Sequence, residues 1–395
     1  MEQRSSDRIL LMATLILMGI GIVMIYSSSA IRAEERFGDP AFFLKRQALW
    51  AAASLVAMRW AMTHDYRRFE RIAPILLLLS LLLLLLVLVP TVGVKVNGAR
   101  RWLRIFGLSF QPSELAKFSL IVFLAGFFAK KADRGGTFQG FLLPFLLTGA
   151  FFVLIALEPN MGMATVLLIS ALALFFVGGC RALHLFLSLA VSTPFLLLLA
   201  GKHPYVKARL FAILDPSQAS PKSLYQLQQS LYALGPGGLL GRGLGDSVQK
   251  LFYLPEPHTD FIFAIVGEEM GFVGSAVVVI LFGLVLWRGT RIALRAPDLF
   301  GCYLSFGITF ALAAQAAINF GVVVGLLPTT GIPLPFVSFG GSSLLTTLLG
   351  MGVLLNISKH PLQRDARLQT SASRQTVLSQ RSGVGGWGLG KRGKA

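Results

Sequence analysis

Apolar residues run in long blocks along this chain, and polar and charged residues are largely confined to the gaps between them. A helix rises 1.5 Å per residue, so a block of about 17–25 apolar residues crosses a hydrocarbon layer. The blocks predict ten spans, near 9–28, 47–63, 72–90, 114–129, 139–157, 162–178, 182–200, 260–287, 299–327 and 340–357. The expected fold is an all-α polytopic integral membrane protein of about ten helices. Its membrane domain covers 1–358, and a tail over 359–395, rich in Ser, Gly, Arg and Lys with Asp365 its one acid, is expected to be disordered.

An even number of spans puts both termini on one side. The short gaps on that side carry Arg67, Arg68 and Arg71, then Lys130, Lys131 and Arg134, then Arg181, then Arg288, Arg291 and Arg295. Such a bias marks the cytoplasmic side. The other side then holds two long outward loops, about 91–113 between helices 3 and 4 and about 201–259 between helices 7 and 8, plus a short apolar hairpin near 328–339. The first span reads as an uncleaved anchor, although Ser27 to Ala30 loosely resembles a cleavage site.

Composition narrows the class. Hydrophobic residues make up 54% and charged residues 14% of the chain, and the mean hydropathy is +0.70, which excludes an ordinary water-soluble domain. A formal charge of +18 first suggests nucleic acid, but the basic residues are dispersed between spans and no nucleic-acid module is present. Cys180 and Cys302 fall near cytoplasmic helix ends and suggest neither a disulfide framework nor metal spacing. No P-loop or cofactor fingerprint appears, which argues against nucleotide-driven pumping.

Candidate chemistry lies in the outward loops. Arg100, Arg101 and Arg104 run against the charge bias, either tolerated there or forming an anion clamp, since guanidinium binds phosphate bidentately. Glu114 and Lys117, three residues apart, share a helix face behind a Ser113 cap. They are either a structural ion pair or a functional pair lining a cavity. Glu158, Pro159 and Asn160 fill a tight turn that lines a wet cavity or meets outside water. The glycines from Gly235 to Gly245 lack the strand and the Gly-Lys-Ser/Thr of a phosphate loop, and Tyr225, Leu227, Leu231 and Tyr232 suggest an interfacial helix.

The sharpest cluster is LPEPHTDFIFAIVGEEMG, with Glu256, His258 and Asp260 at the mouth of a span and Glu268 and Glu269 inside it. Asp260 alone would serve as a helix cap, but three carboxylates on one membrane helix are costly and point to function. His258 has no second histidine at ligand spacing and reads as a hydrogen-bonding spacer.

Seven segments in order carry a family resemblance: YSSSA, NGARRWLR, SFQPSELAK, EPNMG, QSLYALGPGGLLGRGLGDSVQK, YLPEPHTDFIFAIVGEEMGFVG and GLLPTTGIPLPFVSFGGSSLL. Over residues 8–358 the chain resembles the SEDS family (shape, elongation, division and sporulation; the FtsW, RodA and SpoVE group), and GLGDSVQK and GGSSLL lean toward the FtsW and SpoVE branch. The resemblance implies a membrane glycosyltransferase that polymerises lipid II outside the cytoplasmic membrane, with Asp260 catalytic. It implies substrate roles for Arg101, Trp102, Glu114 and Lys117, to which the chemistry of the sequence adds Arg100, Arg104, His258 and Glu268. EPNMG departs from the QPDLG expected of many relatives, which weakens any acid role at Asn160. The implied partners are a class B penicillin-binding protein and other divisome proteins.

In that reaction the C4 hydroxyl of an acceptor sugar attacks the anomeric carbon of a donor and expels a polyprenyl diphosphate. A diphosphate departs without a strong general acid, so one base and fixed positive charge suffice. Direct displacement on an α-linked donor yields a β-linked glycan. The sequence points to no particular cofactor and leaves a divalent cation, Mg or Mn, bridging the diphosphate undecided. The competing function is a flippase for lipid II, since carboxylates at membrane depth and broken helices are also transporter features. A third is a non-catalytic scaffold.

Overall fold

The structure is a computed structural model that describes residues 6–96, 99–105, 107–131, 137–202, 209, 211, 221–251 and 253–360. Arg134 and nearly all of the predicted tail lie outside the described residues. In chain order the elements are α1 (Arg8–Phe37), α2 (Phe42–Thr63), α3 (Arg67–Leu88), β1 (Gly93–Val96), β2 (Ala99–Ile105), β3 (Leu108–Phe110), α4 (Pro112–Lys130), α5 (Phe138–Leu157), α6 (Met161–Val177) and α7 (Ala182–Lys202). They continue with α8 (Pro221–Leu234), α9 (Ile262–Leu294), α10 (Leu299–Val323) and α11 (Gly341–Ile357).

Each predicted apolar run coincides with a helix. Among the described residues, α1, α3, α4, α5, α9 and α10 are each long and apolar enough to cross a membrane. The bundle is built around α4, which packs against α3, α5, α6, α10 and α11 and is buried on most of its surface. The outer helices α1 and α3 instead keep large apolar side chains exposed, among them Met12, Val23, Ile75 and Leu82, as lipid-facing helices do.

Two features correct the all-α expectation. The first long loop, expected to face outward, is a three-stranded antiparallel sheet, ordered β1-β2-β3. Val96 pairs with Ala99, so Asn97 and Gly98 alone separate the two strands in sequence, the dipeptide favoured for two-residue hairpin connections. The second is a break in α9 at Gly271, where φ is +67° and the helical path is interrupted. The glycine-rich segment before α9 closes on that break: Gly238 and Leu239 carbonyls accept from the Phe272 and Val273 amides, and the Arg242 and Gly243 amides donate to the Glu268 and Glu269 carbonyls. Backbone groups freed by a broken helix are thus satisfied inside the protein. A Cβ at Gly237 or Gly241 would collide with the Gly267 or Glu269 carbonyl oxygen, so these glycines serve close backbone approach.

One end of the bundle is tied by charged contacts. The Asp7 carboxylate accepts from Arg288 Nε at 2.8 Å and the Asp7 amide donates to Ser358 Oγ. Tyr66 and Arg67 both bond Asp298, and the Tyr66 amide donates to Asn356 Oδ1. The start of α1 and the end of α11 therefore share one end, as the even span count expects.

Candidate active site

At the opposite end, the segment 328–340 folds back between helices and forms the floor of a charged mouth. Two amides of α10, one helical turn apart, hold it: Gln315 Nε2 donates to the Pro333 carbonyl, and Asn319 Nδ2 donates to both the Ile332 and Asp260 carbonyls at 2.9 Å. Ser338 Oγ donates to the Thr259 carbonyl and the Phe339 amide to that of His258. The loop carrying Asp260 and the hairpin beneath it are thus one hydrogen-bonded unit.

Asp260 precedes α9 rather than capping it, because the cap position is Phe261. Its carboxylate meets two guanidinium groups around Gly331, which sits at φ +75°. A methyl on Gly331 would lie 3.4 Å from Asp260 Oδ2, 3.5 Å from Arg209 Nη1 and 3.8 Å from Arg101 Nη1. Glycine leaves that point clear for a ligand atom. Burial raises the Asp260 pKa to about 6, with Glu256 adding to the rise and Arg209 and Arg101 opposing it. A carboxylate with that affinity for protons is ionised at neutral pH and strong enough to accept one.

The two arginines are anchored by carbonyls. Arg209 Nη1 donates to the Thr329 carbonyl at 2.8 Å. Arg101 Nε donates to the Glu158 carbonyl at 3.2 Å and Nη2 to that of Pro159. A bulge in β2 explains why Arg101 alone of its cluster arrives. Trp102 pairs with Val94 and Arg100 with the next residue, Lys95, which leaves Arg101 as an extra residue between them, and a bulge of this kind re-aims a side chain. Arg100 and Trp102 are half-buried and Arg104 is exposed.

The remaining candidates have other surroundings. Glu114 and Lys117 form a buried ion pair at 2.8 Å, and Lys117 also donates to Gln315 Oε1, which links the pair to the hairpin floor. His258 is packed between Phe43 and Phe339, and burial, with Arg32 nearby, lowers its pKa to about 4, so it is neutral at pH 7. Glu268 accepts from Ser247 Oγ and the Val248 amide and pairs with Arg242 at 3.6 Å, so its bonds go to the glycine-rich segment rather than to Asp260. Glu269 bonds Ser27 and Lys250. Among the described residues no three His, Cys, Asp or Glu side chains are grouped to hold a metal ion.

Sequence reasoning assigned no role to Arg209, Gln315, Asn319 or Gly331. Gln315 and Asn319 carried a signal, as two amides four residues apart on one face of an apolar helix. Arg209 carried none beyond its charge.

A helical bundle with lipid-facing apolar surfaces and a charged mouth at one end is a multi-pass membrane protein. The family model for FtsW, RodA and SpoVE, described as a cell cycle protein, matches residues 8–363, and the chain belongs to that family. It is 44% identical over 361 residues to stage V sporulation protein E of Bacillus subtilis, covering 91% of this chain and 98% of that one. It is 44% identical over 353 residues to a probable peptidoglycan glycosyltransferase FtsW of a Geobacter species, covering 89% and 96%. Among solved structures it resembles a chain of a peptidoglycan synthase complex coordinating polymerisation and crosslinking, with a TM-score of 0.73, 31% identity and coverage of 90% and 98%. The rod shape determining protein RodA of Thermus thermophilus gives a TM-score of 0.66 at 31% identity, covering 91% and 98%.

Proposed function

We propose that this chain is a peptidoglycan glycosyltransferase that polymerises lipid II on the outer face of the cytoplasmic membrane, in septal or sporulation wall synthesis. The observation that carries this reading is one carboxylate and two guanidinium groups converging on the open point at Gly331. Asp260 takes the proton from the acceptor C4 hydroxyl as its oxygen attacks the donor anomeric carbon. Arg101 and Arg209 bind the diphosphate, whose negative charge grows as the anomeric C–O bond breaks. Fixed donors aimed at developing charge are each worth about 10²–10³ in rate. The Glu114–Lys117 pair acts through Gln315 by holding the hairpin floor in place.

The same reading gives ten membrane spans, α1–α7 and α9–α11, with α8 lying at the outer interface. Leu227 and Ser230 of α8 pack inward while Tyr225, Leu231 and Tyr232 stay exposed, which suits a helix half-sunk among lipid headgroups. Both termini are cytoplasmic, and the expected partner is a class B penicillin-binding protein that crosslinks the new strand.

The test is purified protein incubated with lipid II, scoring glycan chains and leaflet exchange separately. Wild type makes polymer. Asp260→Asn, which keeps shape but loses the base, drops the rate by at least about 100-fold while the folded protein still binds lipid II. Polymer at the wild-type rate from Asp260→Asn would sink the assignment, and leaflet exchange without polymer would return the flippase.

A further inference from the structure

Glu158 stands in the turn between α5 and α6, outside both helices, and is fully buried. Among the described residues, neither of its carboxyl oxygens has a hydrogen-bond partner. A buried carboxylate without partners carries a large desolvation penalty and takes up a proton instead. One neighbouring charge opposes that uptake. The charge that acts on Glu158 is Arg101, yet burial outweighs it and the carboxyl titrates at about 9. On the α4 side, Asn160 bonds Ser113, and the ionisable groups there, Glu114 and Lys117, pair with each other. Asp260 and Arg209 meet Arg101 at Gly331.

The geometry of Arg101 makes this neutrality matter. Its Nε and Nη2 bond the backbone carbonyls of Glu158 and Pro159, not the Glu158 carboxyl, and its Nη1 is turned toward Gly331 and Asp260. An ionised carboxylate beside it would offer a stronger, charge-assisted partner than either carbonyl. It would compete for the guanidinium that the reacting diphosphate needs.

We propose that Glu158 is a positioning residue that works as a neutral carboxylic acid: while protonated it leaves Arg101 on the two carbonyls with Nη1 facing the substrate diphosphate, and on losing its proton to solvent it draws the guanidinium to itself and halts polymerisation. The inference rests on the polymerase reading above. It makes Glu158 functionally equivalent to a glutamine at neutral pH and a switch only in alkali.

The experiment is a pH–rate profile of full-length protein with lipid II between pH 7 and 10, for wild type and Glu158→Gln, with infrared spectra of both. Wild type loses about tenfold in rate between pH 8 and pH 10, the loss of protonated acid for a group titrating near 9. Glu158→Gln matches wild type at pH 7.5 and stays flat over that range. The wild-type infrared spectrum shows a protonated-acid carbonyl band that fades with the rate and is missing from the variant. An alkaline loss that persists in Glu158→Gln, or a folded Glu158→Gln protein inactive at pH 7.5, overturns the proposal. If the variant does not fold, the wild-type spectrum decides: no protonated-acid band titrating in this range overturns it as well. Inactive wild type, or fully active Asp260→Asn, counts against the polymerase reading rather than against Glu158.

Discussion

Asp260 gains its chemistry from enclosure, not from its own helix. Desolvation lifts its proton affinity, two arginines restrain the rise, and the balance near 6 leaves a base that is mostly ionised at neutral pH. The sign follows directly. The working form is the carboxylate, present above about 6 and lost as the pH falls through it, so the rate of polymerisation should drop about tenfold per pH unit below that point. Initial rates on lipid II between pH 4.5 and 7.5 check this. A rate that stays flat down to pH 4.5 would mean the group doing the work has an ordinary aspartate affinity or is not a base. Asp260 was legible in the sequence because an acid at a helix mouth beside more acids is expensive. Arg209 was not, because an arginine in a long loop gains meaning only when the fold brings Gly331 to it.

Elements explain why the acids of one motif separate. The sequence puts Asp260, Glu268 and Glu269 on what reads as a single helix, but α9 begins only at Ile262, after Asp260, and the glycine-rich segment grips Glu268 and Glu269 just before the break at Gly271. Periodicity reports how a helix is faced and is blind to where a loop will dock, so Glu268 read as a substrate residue. Glu269 tests the structural role. It is buried and held by Lys250 at 3.0 Å and by Ser27, and Lys250 also donates to the Gly245 carbonyl. Lys250→Met leaves a buried carboxylate short of its cation and should cost about 3–5 kcal/mol. Adding Glu269→Gln removes the stranded charge and should recover most of that. Thermal unfolding of the purified variants measures both; a double variant no more stable than Lys250→Met would show that the pair is not what holds the clasp. The β-hairpin was missed for a related reason: a scan for apolar blocks passes over short alternating strands, although Asn97-Gly98 was there to be read.

The whole molecule sets two ends against each other. At one, Asp7, Tyr66, Arg67, Arg288, Asp298 and Ser358 tie the start of α1 to the end of α11. At the other, Asp260, Arg101 and Arg209 face the hairpin floor. Basic residues populate both ends, so a count of charge cannot orient the protein alone, but their surroundings differ. Arg101 and Arg209 bond loop carbonyls beside the half-buried Asp260 carboxylate, whereas the exposed Arg68, Arg71 and Arg295 match the bias expected of a cytoplasmic side. The site end should therefore face outward. Two exposed positions separate the alternatives, Arg104 on β2 and Arg295 just beyond α9. With Cys180 and Cys302 replaced by serine, Arg104→Cys should react with a membrane-impermeant maleimide in spheroplasts, and Arg295→Cys only after the membrane is permeabilised. The reverse pattern would place Asp260 on the cytoplasmic side, where a polymer could not join the wall, and would overturn the proposed reaction together with the orientation.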